Sequence, residues 1–510
     1  MNYADLFRMT LPETALEIAA LVVLVADLGF LRKAMLQTRV YVAAILGVFG
    51  CGAALLTLPF QTPEGLSYPG TGELLLSAGG YAAAAQAGIL VLTVLTLFLL
   101  IDSNFTRHAG EFVAVVLMAA TGGLLIAAAQ DLLVIFVGLE LLSLGLYILT
   151  AFAKKSGKSA EAAMKYYLFG GMSAAFLLFG FSYLYGIAGS TNLHRVVLSF
   201  YCSPGFQPSP LAYVALVAVA AGLGFKVAAV PFHLWAPDTY EGAPAPAAAF
   251  IASVSKVASF ALLIGIGTAA SHAFSESHAA KVTVGFSLNA PPKFIGFQAP
   301  WSVILALISV ASMVLGNLAA LAQTSVRRLL AYSAIAHAGY ILLALAYFSK
   351  SPLSTNAILY YILTYGLTTI GAFGAVAIVE RATGSDRMDA FLGLSKRNPL
   401  LAAVLLVLFL SLAGIPPLVG FWAKFNLFAA VLQVSAGVVP FTLVALAVGM
   451  SAVSLYYYLQ VLKRVYVMPA VDENPIKGHP ITMGVLIVIA VAVVMFGCLP
   501  ALLQGWIAGF

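Results

Sequence analysis

The chain has 510 residues, of which 62% are hydrophobic and only 9% are charged, with a formal net charge of +6. Apolar runs long enough to cross a bilayer recur along its whole length, which excludes a water-soluble core and places it among polytopic helical membrane proteins. The positive balance is accounted for by loops between these runs, not by a nucleic-acid surface. Three scattered cysteines, Cys51, Cys202 and Cys498, offer no C-x-x-C pair and so no iron–sulfur cluster or zinc ribbon.

The first apolar run starts at Thr14, behind Arg8 and Glu13, and is long enough to remain as a span instead of a cleaved signal. Taken in order, the pattern predicts an all-α bundle of about fourteen spans, at roughly 14–31, 40–60, 82–101, 112–129, 132–152, 162–187, 211–235, 244–270, 301–322, 328–347, 356–379, 400–434, 439–462 and 482–508. The stretch 400–434 is too long for one straight span, yet its part before Gly414-Ile415-Pro416-Pro417 is too short to cross alone, so it reads as one broken helix. Loops after odd-numbered spans hold Arg32, Lys33, Arg39, Arg107, Lys154, Lys155, Lys158, Arg327, Arg328, Arg381, Arg387, Lys396, Arg397, Lys463, Arg464 and Lys477. The opposite side holds only Arg8, Arg195, Lys281, Lys293 and Lys350. The positive-inside rule then puts both termini outside, and leaves Lys165, Lys226, Lys256 and Lys424 for the membrane.

Span 7 combines Lys226 with Pro231 and Trp235, and span 12 combines Lys424 with Pro416, Pro417 and Trp422. Span 12 comes five spans after span 7, an odd offset, so the two breaks run in opposite directions. This predicts two inverted five-helix repeats within one membrane domain, 112–270 (spans 4–8) and 301–462 (spans 9–13), with helices 7 and 12 broken as in transporters.

Polar residues inside spans are costly and mark function or a specific packing need. Glu140 lies about 13 Å from Asp131 at the membrane edge, and reads either as a carboxyl kept neutral by burial or as a proton site. Lys226, near mid-depth, is poorly placed to snorkel with a side chain of its length. Lys256 sits among Ser253, Ser255 and Ser259, which also suit simple helix packing. Lys424 lies past the Pro416-Pro417 break and reads as a snorkelling or an ion-path lysine. His337 reads as a core histidine or, in the company of three lysines, as a relay. His233 lies two helical turns beyond Lys226 with a proline between them, and is a further possible relay. Lys165, near Glu161, reads as an interface residue.

No nucleotide, dinucleotide, zinc-protease or haem-attachment signature occurs in the chain. Electron transfer needs a ligated cofactor or a nucleotide fold, so the expectation is that this chain holds no cofactor and no metal.

The runs VGLELLSLGLYIL, GFKVAAVPFHLWAPDTYEGAPAP, SVSKVASF, LAYSAIAHAGY and LAGIPPLVGFWAKFNLF resemble the antiporter-like proton-translocating subunits of respiratory complex I, the NADH:quinone oxidoreductase. Within that family they are most similar to the subunit N (subunit 2) branch. The resemblance implies that Glu140 and Lys226 form a coupled pair, that Lys256 and His337 join two half-channels, and that Lys424 ends the path. It implies as partners the other membrane-arm subunits, both neighbouring antiporter-like and small ones, together with protons and membrane lipids but no nucleic acid. It further implies quinone reduction in partner subunits. A bacterial inner membrane is the default expectation for an Ala-rich chain without a transit peptide, and the outer termini are then periplasmic. A cation/proton antiporter subunit of the related Mrp type, and a non-transporting scaffold, are the competing readings.

Overall fold

The computed structural model describes residues 3–62, 65–68, 72–103, 105–202, 209–283, 298–348, 352–434, 437–470 and 474–509. Of the lysines expected on the outer side, Lys293 and Lys350 lie outside the described residues, as do the side chains of Lys281 and Cys202.

Among the described residues twenty α-helices follow one another. The N-terminal part holds α1 (Tyr3–Met9), α2 (Leu11–Val25), α3 (Leu36–Thr57) and α4 (Gly80–Leu100). Next come α5 (Ala109–Ala128), α6 (Leu132–Thr150), α7 (Gly157–Ala188), α8 (Leu193–Cys202), α9 (Pro210–Lys226), α10 (Trp235–Gly242) and α11 (Ala245–Thr283). The rest is α12 (Gln298–Leu321), α13 (Val326–Ala346), α14 (Pro352–Thr383), α15 (Leu394–Arg397), α16 (Pro399–Ala413), α17 (Val419–Val434), α18 (Val438–Tyr466), α19 (Pro480–Cys498) and α20 (Pro500–Ala508). A two-stranded antiparallel ribbon, β1 (Leu66–Ser67) with β2 (Leu74–Leu76), closes one loop.

Among the described residues eleven helices are long and apolar enough to cross a membrane, or twelve if the bent pair Tyr3–Met9 and Leu11–Phe30, which meet at 70°, counts as one span. Three shorter apolar helices, α9, α16 and α17, fall below that length. The chain is thus a polytopic helical membrane protein, with α11 as its enclosed central helix: every residue from Ala247 to Gly267 is buried. Such a helix has no exposed face to orient it, so packing against its neighbours fixes it instead.

Helices α5 and α6 approach closely because Gly122 and Gly145 carry no side chain. A Cβ on Gly122 would stand 2.5 Å from the Leu142 amide nitrogen, and one on Gly145 2.7 Å from the Ala119 Cβ. Helices α12 and α13 pack by the same device: a Cβ on Gly316 would stand 2.7 Å from the Ala336 amide nitrogen, and one on Gly339 2.8 Å from Met313. A single constant shift in residue number carries Gly122, Leu142, Gly145 and Ala119 onto Gly316, Ala336, Gly339 and Met313. Near that same shift, the start of α6 and the start of α13 are each tied by a pair of backbone bonds to the segment after the following helix. Leu132 N–H donates to Thr191 O and Leu193 N–H to Gln130 O, both at 2.9 Å, while Val326 N–H donates to Asp386 O at 2.9 Å and Met388 N–H to Thr324 O at 2.8 Å. The caps exchange roles: Thr191 donates to the α6 cap Asp131, whereas the α13 cap Ser325 donates to Asp386.

Candidate functional site: a chain of buried lysines between two helix breaks

The first break comes earlier than the proline predicts. Helix α9 stops at Lys226 itself, not at Pro231, because Ala228 adopts a left-handed φ of 56° and the closing bonds Ala229 N–H to Gly224 O (2.8 Å) and Ala228 N–H to Phe225 O (3.0 Å) wrap the end of the helix. The turn that follows leads into α10, where Trp235 stacks on Tyr166 at 4.2 Å and its Nε1–H donates back to Phe225 O at 3.0 Å. The second break is built on glycine: Gly414 ends α16 at φ 90°, its N–H donating to Leu410 O at 3.1 Å. A side chain there would be strained and would also stand 3.0 Å from the Lys424 Cδ.

Four of the buried basic side chains, Lys226, Lys256, His337 and Lys424, follow one another from the first break to the second. Lys226 donates its ammonium to Ser143 Oγ, and Ser143 in turn donates to Leu139 O, on α6. The next residue after Lys226, Val227, offers its carbonyl to Lys256 Nζ at 3.1 Å, and Lys256 also donates to Ala334 O on α13 at 2.7 Å. One turn further along α13, His337 shares a 2.7 Å hydrogen bond with Tyr361 through Nδ1, while its buried Nε2 has no partner. His337 and Leu412 line a small cavity with Thr364, Thr368 and Ser411, leaving about 10 Å³ for the centre of a water molecule, the least that one water needs. Lys424 then donates to Leu412 O (3.0 Å), Ala413 O (2.9 Å) and Ser451 Oγ (2.8 Å), with Tyr340 facing its ammonium at 5.5 Å. His337 lies within electrostatic reach of both Lys256 and Lys424.

The two breaks therefore do the same work. Each exposes the carbonyl end of a half-helix, which carries partial negative charge, and each receives a lysine ammonium there: Lys256 at the end of α9 and Lys424 at the end of α16. Lys226, Lys256, His337 and Lys424 are all buried, at 8%, 3%, 4% and 6% exposure. Lys424 folds back onto the carbonyls of α16, so it does not snorkel to the surface.

Glu140 sits elsewhere than a buried pair demands. It is half-buried on the outer stripe of α6 that includes the exposed Leu133, Val137 and Leu144, and among the described ion pairs none joins it to Lys226. It remains within electrostatic reach of that lysine, with Ser143 one turn along α6 holding the ammonium. His233 lies in the turn after the first break, buried and with Nδ1 unpartnered. Because the helix ends at Lys226, the shared helical face suggested by their spacing does not exist, and among the described residues no hydrogen bond joins His233 to the lysine chain. Lys165 is an interface residue, bonded to Glu161 at 2.7 Å and Asp238 at 2.8 Å.

Sequence reasoning missed Ser143, Ser451, Tyr340 and Tyr361. A hydroxyl one turn from a membrane carboxylate was the available signal for Ser143; the tyrosines, spread among many aromatic residues, gave none.

Below the breaks, a charged cluster joins α7, α10 and α13. Arg328 pairs with Asp238 at 2.6 Å and with Glu241 at 3.0 Å, and Lys158 with Glu241 at 3.1 Å. Burial pushes the Asp238 and Glu241 carboxyls up, but the hydrogen bonds from Lys165, Arg328 and Lys158 outweigh it and hold both below the usual carboxylate range. Beside them a cavity of about 390 Å³ is lined by Asp102, Lys158, Glu241, Arg327 and Glu380.

Comparison with known proteins accords with this architecture. The family model described as "NADH:quinone oxidoreductase/Mrp antiporter, TM" matches residues 129–284 and 279–451, and the chain belongs to that family. It is 48% identical to the NADH-quinone oxidoreductase subunit N 2 of Acidobacterium capsulatum over 99% of both chains, and 38% identical to the subunit N of Desulfovibrio desulfuricans over 97% of this chain and 95% of that one. Among solved structures, a chain of respiratory complex I from Thermus thermophilus with bound aureothin superposes with a TM-score of 0.76 at 33% identity, covering 97% of this chain and 98% of that one. A chain of the Mrp complex from Dietzia shares the fold, with a TM-score of 0.76 at 21% identity over 96% of this chain and 95% of that one.

Proposed function

We infer that this chain is a proton-translocating membrane-arm subunit of an NADH:quinone oxidoreductase, of the subunit N type, which moves protons outward along Lys226, Lys256, His337 and Lys424 while quinone is reduced in partner subunits. The observation that carries this reading is the series of buried polar groups from Ser143 to Ser451: Lys226 bonds Ser143, Lys256 bonds the Val227 and Ala334 carbonyls, His337 lines a water-sized cavity beside Leu412, and Lys424 bonds Leu412 O and Ser451.

Each ammonium has neutral partners only, so its charge depends on what is nearby. A carboxylate brought to about 4 Å at an effective dielectric near 20 changes the energy of the charged form by roughly 4 kcal/mol. Moving one charge against the membrane potential costs about 2.3 kcal/mol per 100 mV. A modest approach and retreat of Glu140, on its outer stripe, is thus large enough to load and unload Lys226. The cavity among Asp102, Lys158 and Glu241 supplies water on the inner side, from which the chain is recharged.

The finer architecture follows from the same features. Joining α9 to α10 and α16 to α17 as broken spans, and counting the bent N-terminal pair as one, gives fourteen. The shared glycine packing and the matched backbone bridges support two repeats, 112–270 and 301–462, and the odd offset of five from span 7 to span 12 supports their inversion. The positive loops support termini on the periplasmic side of a bacterial inner membrane. The chain's redox partners carry the flavin and iron–sulfur chemistry in this reading, and this chain carries none.

Co-purification with NADH dehydrogenase activity tests the assignment against the Mrp-type antiporter, which would purify without it. Lys226→Ala in the assembled complex tests transport: the expected result is electron transfer with fewer protons moved per electron, whereas an unchanged ratio would leave only a scaffold.

A further inference from the structure

We propose that Glu13 and Gln86 form a second kind of proton-holding site, an acid–amide pair on the outer side of the first half, apart from the lysine chain and resting on the proton-translocation reading for its role as an outlet. Glu13, in the first turn of α2, is 5% exposed, and Gln86, on α4, is 1% exposed. Gln86 Nε2 donates to Glu13 Oε1 at 3.4 Å and to Leu124 O at 3.2 Å. Glu13 also lies against its own backbone amide. Two buried oxygens are left without a partner, Glu13 Oε2 and Gln86 Oε1.

Both of those oxygens belong to the same pair of side chains, and both are acceptors as long as Glu13 is ionised. No cation among the described ion pairs reaches Glu13, and the charged group that acts on it electrostatically is Glu17, another carboxylate, one turn away and exposed. A single proton on Oε2 resolves the whole site: the new O–H donates to Gln86 Oε1 while Gln86 Nε2 donates to Glu13 Oε1. This closes the two-bond ring that a carboxylic acid and a primary amide form, and leaves no unsatisfied oxygen in the pair. When the proton leaves, it goes from Oε2 to water at the outer surface, and the carboxylate that remains keeps its bond from Gln86 Nε2.

The position suits an outlet. Leu124 adjoins Gly123, where a Cβ would touch the Ala258 Cβ at 3.5 Å and the Ile89 Cδ1 at 3.7 Å. Ala258 is two residues from Lys256 and Ile89 three from Gln86, so the pair lies next to the layer of the central lysine. On its other side the chain bends at Thr10, and Gln61, buried and with its own Oε1 unpartnered, donates to Met9 O at 3.0 Å. Polar atoms therefore continue from the pair toward the N-terminal bend.

The test uses the assembled complex in membranes and in purified form. Glu13→Gln keeps the volume and removes the titratable proton. In infrared difference spectra, the parent complex is expected to show a protonated-carboxyl C=O band that shifts in deuterium oxide and is lost in E13Q. In Gln86→Leu, which removes the amide partner but leaves the carboxyl, the band is expected to shift, so that the pairing remains testable if E13Q assembles poorly. In vesicles, E13Q is expected to lose part of the protons moved per electron. A band unchanged in both variants, or a normal proton-to-electron ratio in E13Q, overturns the proposal. A parent complex that oxidises NADH without moving protons would instead overturn the functional reading, and leaves the spectral test of the pair intact.

Discussion

A lysine held by neutral groups alone is sensitive to single atoms around it. Glu140→Gln removes the charge that acts on Lys226 without changing shape, and the expected outcome is fewer protons moved per electron in an assembled enzyme; a normal stoichiometry would separate Glu140 from Lys226. Ser143→Ala leaves the Lys226 ammonium without the hydroxyl it donates to, which costs about 1–3 kcal/mol in a buried site. The expected result is reduced pumping that Ser143→Thr restores, read in the same vesicle assay. At the other end, Lys424→Ala is expected to stop proton movement with assembly intact, since two of its three hydrogen-bond partners are carbonyls at a helix end. Gly414→Ala forces a side chain into left-handed backbone at about 1–2 kcal/mol and into contact with Lys424. A lowered melting temperature of the purified complex, together with a pumping loss resembling that of Lys424→Ala, checks this.

The two broken elements show why a break is worth having in a membrane. A continuous helix satisfies all its carbonyls internally, whereas a helix stopped at Lys226 or Ala413 offers free ones at depth, and an ammonium is a fitting partner for them. Helix α10 shows a different use of charge. Its Asp238 and Glu241 bind Lys165, Lys158 and Arg328 from the flanking α7 and α13, so they clamp the segment after the first break. Their carboxyls are held below the usual range, so the clamp stabilises fully above the unfolded pKa of about 4 and is lost as the pH falls through the depressed folded values. Asp238→Asn is expected to destabilise by about 1 kcal/mol at neutral pH, and progressively less in acid. Thermal unfolding of parent and variant across a pH series measures this, and a pH-independent difference would show that packing, not charge, holds α10.

For the whole molecule, the outward stripe of α6 has a consequence in the assembly. Glu140 shares that stripe with apolar Leu133, Val137 and Leu144, so the environment of its charge is set by whatever covers α6, a neighbouring subunit in the proposed complex. In the proposed mechanism, motion in that neighbour would reach Lys226 as a change in field. Visible absorption and metal analysis of the purified chain are expected to show no stoichiometric haem, flavin or iron; finding one would overturn the division of labour proposed between this subunit and its partners.

Much of this architecture was legible in the residues because a membrane makes charge expensive. Lys226, Lys256, Lys424 and His337 stand out against apolar runs, and Pro416-Pro417 marks the second break, all without tertiary information. What the residues alone could not decide was rotation and partnership. Helices such as α11 are buried all round, so periodicity does not say which way they face. Glu140 was accordingly expected among buried groups and lies on an outer stripe; Lys226, not Pro231, ends its helix because a left-handed Ala228 closes it. The bonds that make the site, Lys256 to Ala334 and Lys424 to Leu412, join residues brought together only by packing, since a carbonyl becomes available to a lysine through where its helix stops and not through the type of side chain it carries.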